Sequence, residues 1–273
     1  MRRVSAPIDH DALPSSDAPT TGPAAEPRRS PDRFVVVGAA VLVALVLTAL
    51  LGLLVVRHRQ SAPPAAAAAS GSALRATGIP ATVPTAIATL MGLSPVPASV
   101  APGFTLEDQN GKTLSLSAFR GHPVVLEFMD PNCIDICPIV SQEFVDAYRD
   151  LGPAGPDVVF LGVNVNPYHT DVASVRAYSA AHSLDAVTSW HFLTGPVSAL
   201  QSVWRDYNVS VSAPNATADV VHTSVVYFID PAGQARYVAF PMVDHTANGT
   251  SYLPAGPTAS WGRGIALVAA SMR

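Results

Sequence analysis

Hydrophobic and polar residues divide the chain into a polar start, a long apolar run, a stretch of small residues and a mixed region. The apolar run, residues 34–56, is 23 positions without a charge, and Arg33 and Arg57 bracket it. At a rise of 1.5 Å per residue this helix is about 34 Å long, enough to cross a hydrocarbon core of about 30 Å. It is too long, and begins too far into the chain, for a cleaved signal peptide. The pattern predicts a single transmembrane helix.

The segments on either side of this run lack the periodicity of packed structure. Residues 1–33 are rich in Pro, Ala, Ser and charge, which is typical of disorder. Residues 57–101 are rich in Ala, Pro and Ser and are predicted to be a flexible linker, with a short helical patch allowed over 85–93. Residues 102–273 are then long enough for one domain with its own core.

Strand and helix patterns alternate along this last region. Mostly apolar runs at 124–128 and 158–165 are typical of strands buried on both faces. The predicted elements are a hairpin with an Asn-Gly turn (104–115), a strand (124–128), a helix (138–151), a strand (158–165), a helix (171–181), a strand (190–193), a helix (198–207), strands at 223–229 and 235–240, and a helix (261–272). This order predicts an α/β fold, a mixed sheet flanked by helices.

Charge limits the partners of this region. Residues 98–273 carry eight basic and fifteen acidic residues, and Lys112 is the only lysine of the chain. A basic face for nucleic acid or anionic lipid is therefore not expected. A mild acidic excess is compatible with a cationic partner or a metal ion, although it also serves solubility.

Cys133 and Cys137 are the only cysteines, and they lie between an apolar strand and a helix pattern that opens with Pro138. One helical turn would bring their Cβ atoms to about 5–6 Å. The free amides and dipole of a helix N-terminus stabilise a thiolate. A disulfide closing so short a loop would stabilise the fold little, so a structural disulfide or an inert core pair is disfavoured. The pair is predicted to bind one soft metal ion or to cycle between dithiol and disulfide.

The motifs around these cysteines resemble the Sco/SenC family over 102–240 and, weakly, over the last helix. The matching positions are Phe104-Thr105-Leu106, Asp108-Gln109, Gly111-Lys112, Leu116-Ser117, Gly121, Cys133-x-x-x-Cys137-Pro138, Phe160-Leu161, Phe192-Leu193-Thr194-Gly195, Val221-His222-Thr223 and Asp230-Pro231-x-Gly233. The resemblance implies a membrane-tethered, thioredoxin-like domain that handles copper for the CuA centre of cytochrome c oxidase. It also implies that Cys133, Cys137 and His222 bind the metal.

Ligand chemistry agrees with that set. Thiolates hold Cu(I), and an added imidazole allows Cu(II) as well. A closed structural zinc site needs four protein ligands, and three are evident here, so zinc is disfavoured as the metal. His222 on its own would be read as a structural histidine, and the cysteine motif reverses that interpretation. His169, His245 and Met242 are candidate extra ligands, more typical of surface or loop positions.

The chain departs from the family pattern at two places. Ile134 stands where the family often has proline, although Asp135 is kept. Asn166-Pro167, preceded by Asn164, replaces an Asp-Pro pair, so amides stand where the family has a carboxylate. If that carboxylate serves partner docking or copper affinity, delivery by this protein differs.

We therefore expect a single-pass copper metallochaperone, with a carrier role favoured over an enzymatic one and with its C-terminal domain on the extracytoplasmic side of the cell membrane. The positive-inside bias that supports this orientation is slight. The expected partner is the CuA-bearing oxidase subunit or another copper or redox protein. The main alternative is a thiol–disulfide oxidoreductase in which Cys133 attacks and Cys137 resolves, although such enzymes more often use Cys-x-x-Cys. A peroxidase-like thioredoxin relative and a binding-only sensor remain open.

Overall fold

The structure is a computed structural model, and it describes residues 78–273. Its core is a six-stranded mixed sheet with helices on both faces. The helices are α1 (Thr85–Leu90), α2 (Cys137–Leu151), α3 (Val172–Ala181), α4 (Val197–Asp206) and α5 (Ala255–Ser271). The strands are β1 (Ser94–Val100), β2 (Thr105–Glu107), β3 (Thr113–Ser115), β4 (Val124–Met129), β5 (Val159–Asn164), β6 (Trp190–Leu193), β7 (Val211–Ser212), β8 (Val221–His222), β9 (Val226–Ile229), β10 (Gln234–Ala239), β11 (Asp244–His245) and β12 (Ser251–Tyr252).

The main sheet has the order β1-β10-β9-β4-β5-β6. Strands β4, β5 and β6 are parallel and are joined by the crossover helices α2 and α3, whereas β9, β10 and β1 pair antiparallel. Every residue of β4 and β5 is buried, as predicted from their apolar runs. The predicted mixed sheet flanked by helices is confirmed. Its topology brings the carboxyl ends of three parallel strands to one edge of the sheet.

The two faces of the sheet carry separate apolar clusters. Alternation along β4 points Val125 and Met129 toward α1, α2 and α5, and Leu126 and Phe128 toward α4 and the β2–β3 hairpin. Each face of the sheet is therefore covered by its own apolar cluster, with helices on one side and α4 and the β2–β3 hairpin on the other.

The expected linker over 57–101 is wrong for its last part. Helix α1 and strand β1 belong to the domain: Val83, Met91 and Leu93 are buried, and β1 pairs with β10. Helix α1 packs so closely on α5 that a Cβ at Gly264 would collide with Met91. Proline-rich composition concealed the strand, which tolerates Pro95 and Pro97 because it lies at the sheet edge.

Several local predictions are confirmed and two boundaries move. The Asp171 carboxylate caps α3 by accepting the Ser174 N–H over 2.8 Å. Gly152 ends α2 at a φ of 55°. The last helix begins six residues earlier than predicted, at Ala255 instead of residue 261. The strand expected from residue 223 begins at Val226, since His222 and its neighbour pair with β7 in a separate ribbon.

The predicted transmembrane helix over 34–56, the predicted disordered segment 1–33 and residues 57–77 lie outside the described residues. Across residues 78–273, the helices are all too short or too polar to traverse a bilayer.

Candidate dithiol and metal site

The cysteine loop leaves the central strand β4 at Met129 and enters α2 at Cys137. The predicted strand, loop and helix N-terminus are therefore confirmed, with Pro138 in the first turn of α2. Cys133 is half-buried, Cys137 is buried, and both are free thiols. The dithiol thus lies at the carboxyl ends of the parallel strands, with Cys133 half-buried and Cys137 buried.

The two thiols are electronically unequal. The Cys137 backbone N–H donates to Cys133 Sγ over 3.4 Å. A hydrogen bond from the Cys137 thiol, aided by this amide, lowers the pKa of Cys133 to about 7. That same thiol bond and burial raise the pKa of Cys137 well above its usual value. Cys133 is therefore the thiolate near neutral pH, and Cys137 keeps its proton.

His222 lies in the two-residue strand β8, outside the main sheet. Its Nδ1 is 3.0 Å from the Thr223 carbonyl oxygen, which can only accept, so Nδ1 carries the hydrogen. Nε2 is then left with a free lone pair, the form in which imidazole binds metals. Burial lowers the pKa of His222, which also favours the neutral ring. The side chain is chemically suited to a ligand role.

The structure brings the two cysteines together but does not complete a three-ligand set. Within residues 78–273, no group of three His, Cys, Asp or Glu side chains is close enough to hold a metal ion. The exposed Met242 and His245 belong to the region around β11. The His169 backbone accepts a hydrogen bond from the Asn164 side chain. The ligand role of His222 stays a prediction.

A polar network that sequence reasoning missed supports the cysteine loop. Asp130 and Asn166 follow β4 and β5, and the Asn166 amide donates to Asp130 Oδ1 over 2.9 Å. Asn164 donates to Thr194 Oγ1 over 3.1 Å, which extends the network to the end of β6. The sequence singles out Asn164 and Asn166, but it does not predict their hydrogen bonds to Thr194 and Asp130.

Two buried carboxyl groups lie on the strand and the helix that flank the cysteine loop. Glu127 interrupts the apolar strand β4, and Glu143 lies on α2; burial raises their pKa values to about 8 and about 9. Ser224 donates to one oxygen of Glu127 over 3.2 Å, while the second oxygen of each glutamate is buried without a hydrogen-bond partner. Glu127 also raises the pKa of Cys137 through its charge. An acid within an apolar strand was the signal that sequence reasoning overlooked.

Comparison with known proteins matches this chain to the SCO1/SenC family and, over a shorter stretch, to peroxiredoxin Q. A family model described as SCO1/SenC matches residues 94–248, more than half of the chain. The chain is 28% identical over 133 residues to the SCO1 protein homolog of Bacillus subtilis (strain 168), covering 48% of this chain and 68% of that protein. It is 47% identical over 83 residues to chloroplastic peroxiredoxin Q of Populus jackii, covering 30% of this chain and 36% of that protein.

A solved structure shares the fold. Bradyrhizobium japonicum ScoI, solved with copper bound, is similar at a TM-score of 0.50 and 21% identity over 64% of this chain and 100% of that one. The thioredoxin-like arrangement expected from the sequence is therefore confirmed for the described domain.

Proposed function

The chain belongs to the SCO1/SenC family, and from this premise we propose that it is a copper chaperone that loads copper on its dithiol for assembly of the CuA centre of cytochrome c oxidase. The observation that carries the proposal is the pair of free thiols at the N-terminus of α2, one of them a thiolate near neutral pH. Soft thiolates of this kind suit Cu(I). The copper-bound state of the ScoI relative supports the same cargo.

The proposed ligands are Cys133, Cys137 and His222. Cys133 offers a thiolate before the ion arrives, and Cys137 must release its proton on loading. His222 would approach by movement of the short β7–β8 ribbon. That ribbon pairs two residues on each strand, with Thr223 N–H to Ser210 O at 3.0 Å beside them. Because His222 lies on so small a ribbon, it can move away from the ion. The ion would then pass to a partner by ligand exchange.

We propose that residues 34–56 anchor the protein as a single helix, with the described domain on the extracytoplasmic side of the membrane. The uncharged apolar run supports the anchor. The partner would be the CuA-bearing oxidase subunit or another copper or redox protein, as the family membership suggests.

The test is a Cu(I) titration of the reduced full chain in detergent against a competing chelator. We expect one ion per chain, and loss of this binding in Cys133→Ser and in Cys137→Ser. Ser141→Ala, which removes a buried hydroxyl one turn along α2, is the matched control and should retain binding. Stoichiometric binding in the double cysteine variant would refute the proposal.

A second function is favoured by the inequality of the thiols. A low-pKa Cys133 and a protonated Cys137 are what a dithiol reductase requires. The Cys133 thiolate would attack a partner disulfide and expel one partner thiolate. Cys137, on losing its proton, would then attack the mixed disulfide, so that the partner leaves as a dithiol and this chain as a disulfide. Turnover on a protein disulfide without metal would support this function, and peroxide consumption would test the local likeness to peroxiredoxin Q.

A further inference from the structure

Asp130 and Asn166 form a buried pair between the ends of β4 and β5. Their exposed fractions are 5% and 4%, so a carboxylate here depends on protein donors. Asp130 Oδ1 accepts two hydrogen bonds, from Asn166 Nδ2 over 2.9 Å and from the Asn132 N–H over 2.8 Å. One carboxylate oxygen therefore ties the cysteine loop to the neighbouring strand.

The backbone and the charge of Asp130 also act on the cysteine turn. Its carbonyl oxygen accepts the Cys133 N–H over 3.1 Å. Its negative charge raises the pKa of Cys133. The turn from residue 130 to Cys133 is thus closed by two acceptors of a single residue, and this residue places a charge beside the thiolate.

The orientation of Asn166 is determined by its other neighbours. Its Oδ1 accepts the backbone N–H of Tyr168 over 2.9 Å and that of His169 over 3.2 Å. Its own N–H donates to Asn164 Oδ1 over 2.7 Å. Because two N–H donors fix the oxygen, the NH2 group must face Asp130. An aspartate at this position would satisfy both donors but would turn a second carboxylate oxygen toward Asp130.

We propose that Asp130 and Asn166 are positioning residues of the dithiol site, an amide–carboxylate pair that fixes the turn carrying Cys133 and holds one negative charge next to it. The proposal rests on the function proposed above only in taking Cys133 as the reactive thiol. It gives a physical reason for an amide at residue 166: Asp130 supplies the carboxylate, and a second one at residue 166 would oppose it.

The pair makes a charge-exchange experiment possible. Asn166→Asp places two carboxylates face to face, and Asp130→Asn removes the charge while keeping an acceptor oxygen. The double exchange Asp130→Asn/Asn166→Asp restores one amide facing one carboxylate. Gln201→Glu adds the same charge on an exposed position of α4 and is the matched control.

The readout is the rate of Cys133 alkylation by iodoacetamide in the reduced, metal-free full chain at pH 6, below the Cys133 pKa of about 7. A negative charge added near the sulfur raises the pKa of Cys133, and each pKa unit is a tenfold change in thiolate population. We expect Asn166→Asp to react more slowly than wild type, Asp130→Asn to react faster, and the exchange and control variants to react at close to the wild-type rate. Opposite changes in the two single variants are not expected of a merely structural role.

Equal slowing by Gln201→Glu, or an exchange variant as slow as Asn166→Asp, would overturn the proposal. Thermal unfolding of each variant identifies one that fails to fold. If Asn166→Asp does not fold, the exchange variant must still react at the wild-type rate. Slow reaction of the exchange variant would contradict the proposal. The alkylation readout uses no metal, so the two proposals can fail separately. If the rates differ as expected but the protein binds no copper, only the chaperone function is refuted. If the protein binds copper but the rates do not differ, only the positioning role is refuted.

Discussion

The first backbone amide of α2 donates to the sulfur of the other cysteine: Cys137 N–H to Cys133 Sγ, 3.4 Å. A sulfur four residues earlier thereby serves as the acceptor that a capping side chain usually supplies, and α2 has no side-chain cap of its own. The Cys137 thiol and this amide lower the pKa of Cys133, while the hydrogen bond to Cys133 and burial keep the proton on Cys137. Because the two thiols differ in pKa, Cys133 ionises before Cys137.

The inequality predicts two different alkylation profiles. In Cys137→Ala, Cys133 loses the thiol donor that is the largest cause of its lowered pKa, so its alkylation midpoint should rise above the wild-type value of about 7. In Cys133→Ala, Cys137 loses the hydrogen bond that is the largest cause of its raised pKa, so its midpoint should fall, while burial keeps it above that of an ordinary thiol and keeps the reaction slow. The measurement is iodoacetamide labelling against pH, read by mass spectrometry. A Cys133 midpoint that stays near 7 in Cys137→Ala would contradict the assignment.

The buried glutamates predict that stability falls with rising pH. The folded-state pKa values of Glu127 and Glu143, about 8 and about 9, exceed the ordinary 4.5, so the folded protein holds these protons to higher pH than the unfolded chain. Their contribution is complete below pH 4.5 and is lost as the pH rises toward 8 and 9. Each pKa unit corresponds to about 1.4 kcal/mol.

Glu143→Gln should therefore unfold at a higher denaturant concentration than wild type at pH 9, with the advantage shrinking toward pH 5. Urea unfolding at several pH values measures this, and the exposed Glu107→Gln is the matched control. A variant whose stability runs parallel to wild type from pH 5 to pH 9 would show that Glu143 is not held as a neutral acid.

Residues 83–93, which the composition predicts to be linker, contribute to the stability of the domain. Met91 is fully buried against α5, so Met91→Ala should lower the free energy of unfolding by about 2–5 kcal/mol. Met242 is 54% exposed, and Met242→Ala should change it by less than about 0.5 kcal/mol. Urea unfolding of both variants provides the comparison. If both variants changed the free energy of unfolding by less than about 0.5 kcal/mol, residues 83–93 would not be part of the folded domain.

The sequence was informative wherever a local pattern determines local structure. The apolar strand β4, the proline in the first turn of α2, the Asp171 cap and the Gly152 stop follow from near neighbours in the chain. The dithiol loop was predictable for the same reason, since its two cysteines are one turn apart.

Long-range features were not predictable from such patterns. The edge strand β1 depends on pairing with β10, more than 130 residues away, and its prolines disguise it. The Asp130–Asn166 bond spans 36 residues and requires adjacent parallel strands. Glu143 resembled a helix surface acid until α5 covered it, as the close approach of Gly262 to its carbonyl shows.

The central claim is that Cys133, Cys137 and His222 bind a single copper ion, and Cu(II) absorption of the reduced full chain tests it most directly. We expect intense thiolate-to-copper charge-transfer bands in wild type and in His245→Ala, an exposed histidine that serves as control. In His222→Ala these bands should be lost or displaced, while Cu(I) binding by the two thiolates is retained. Bands unchanged in His222→Ala would contradict the three-ligand site.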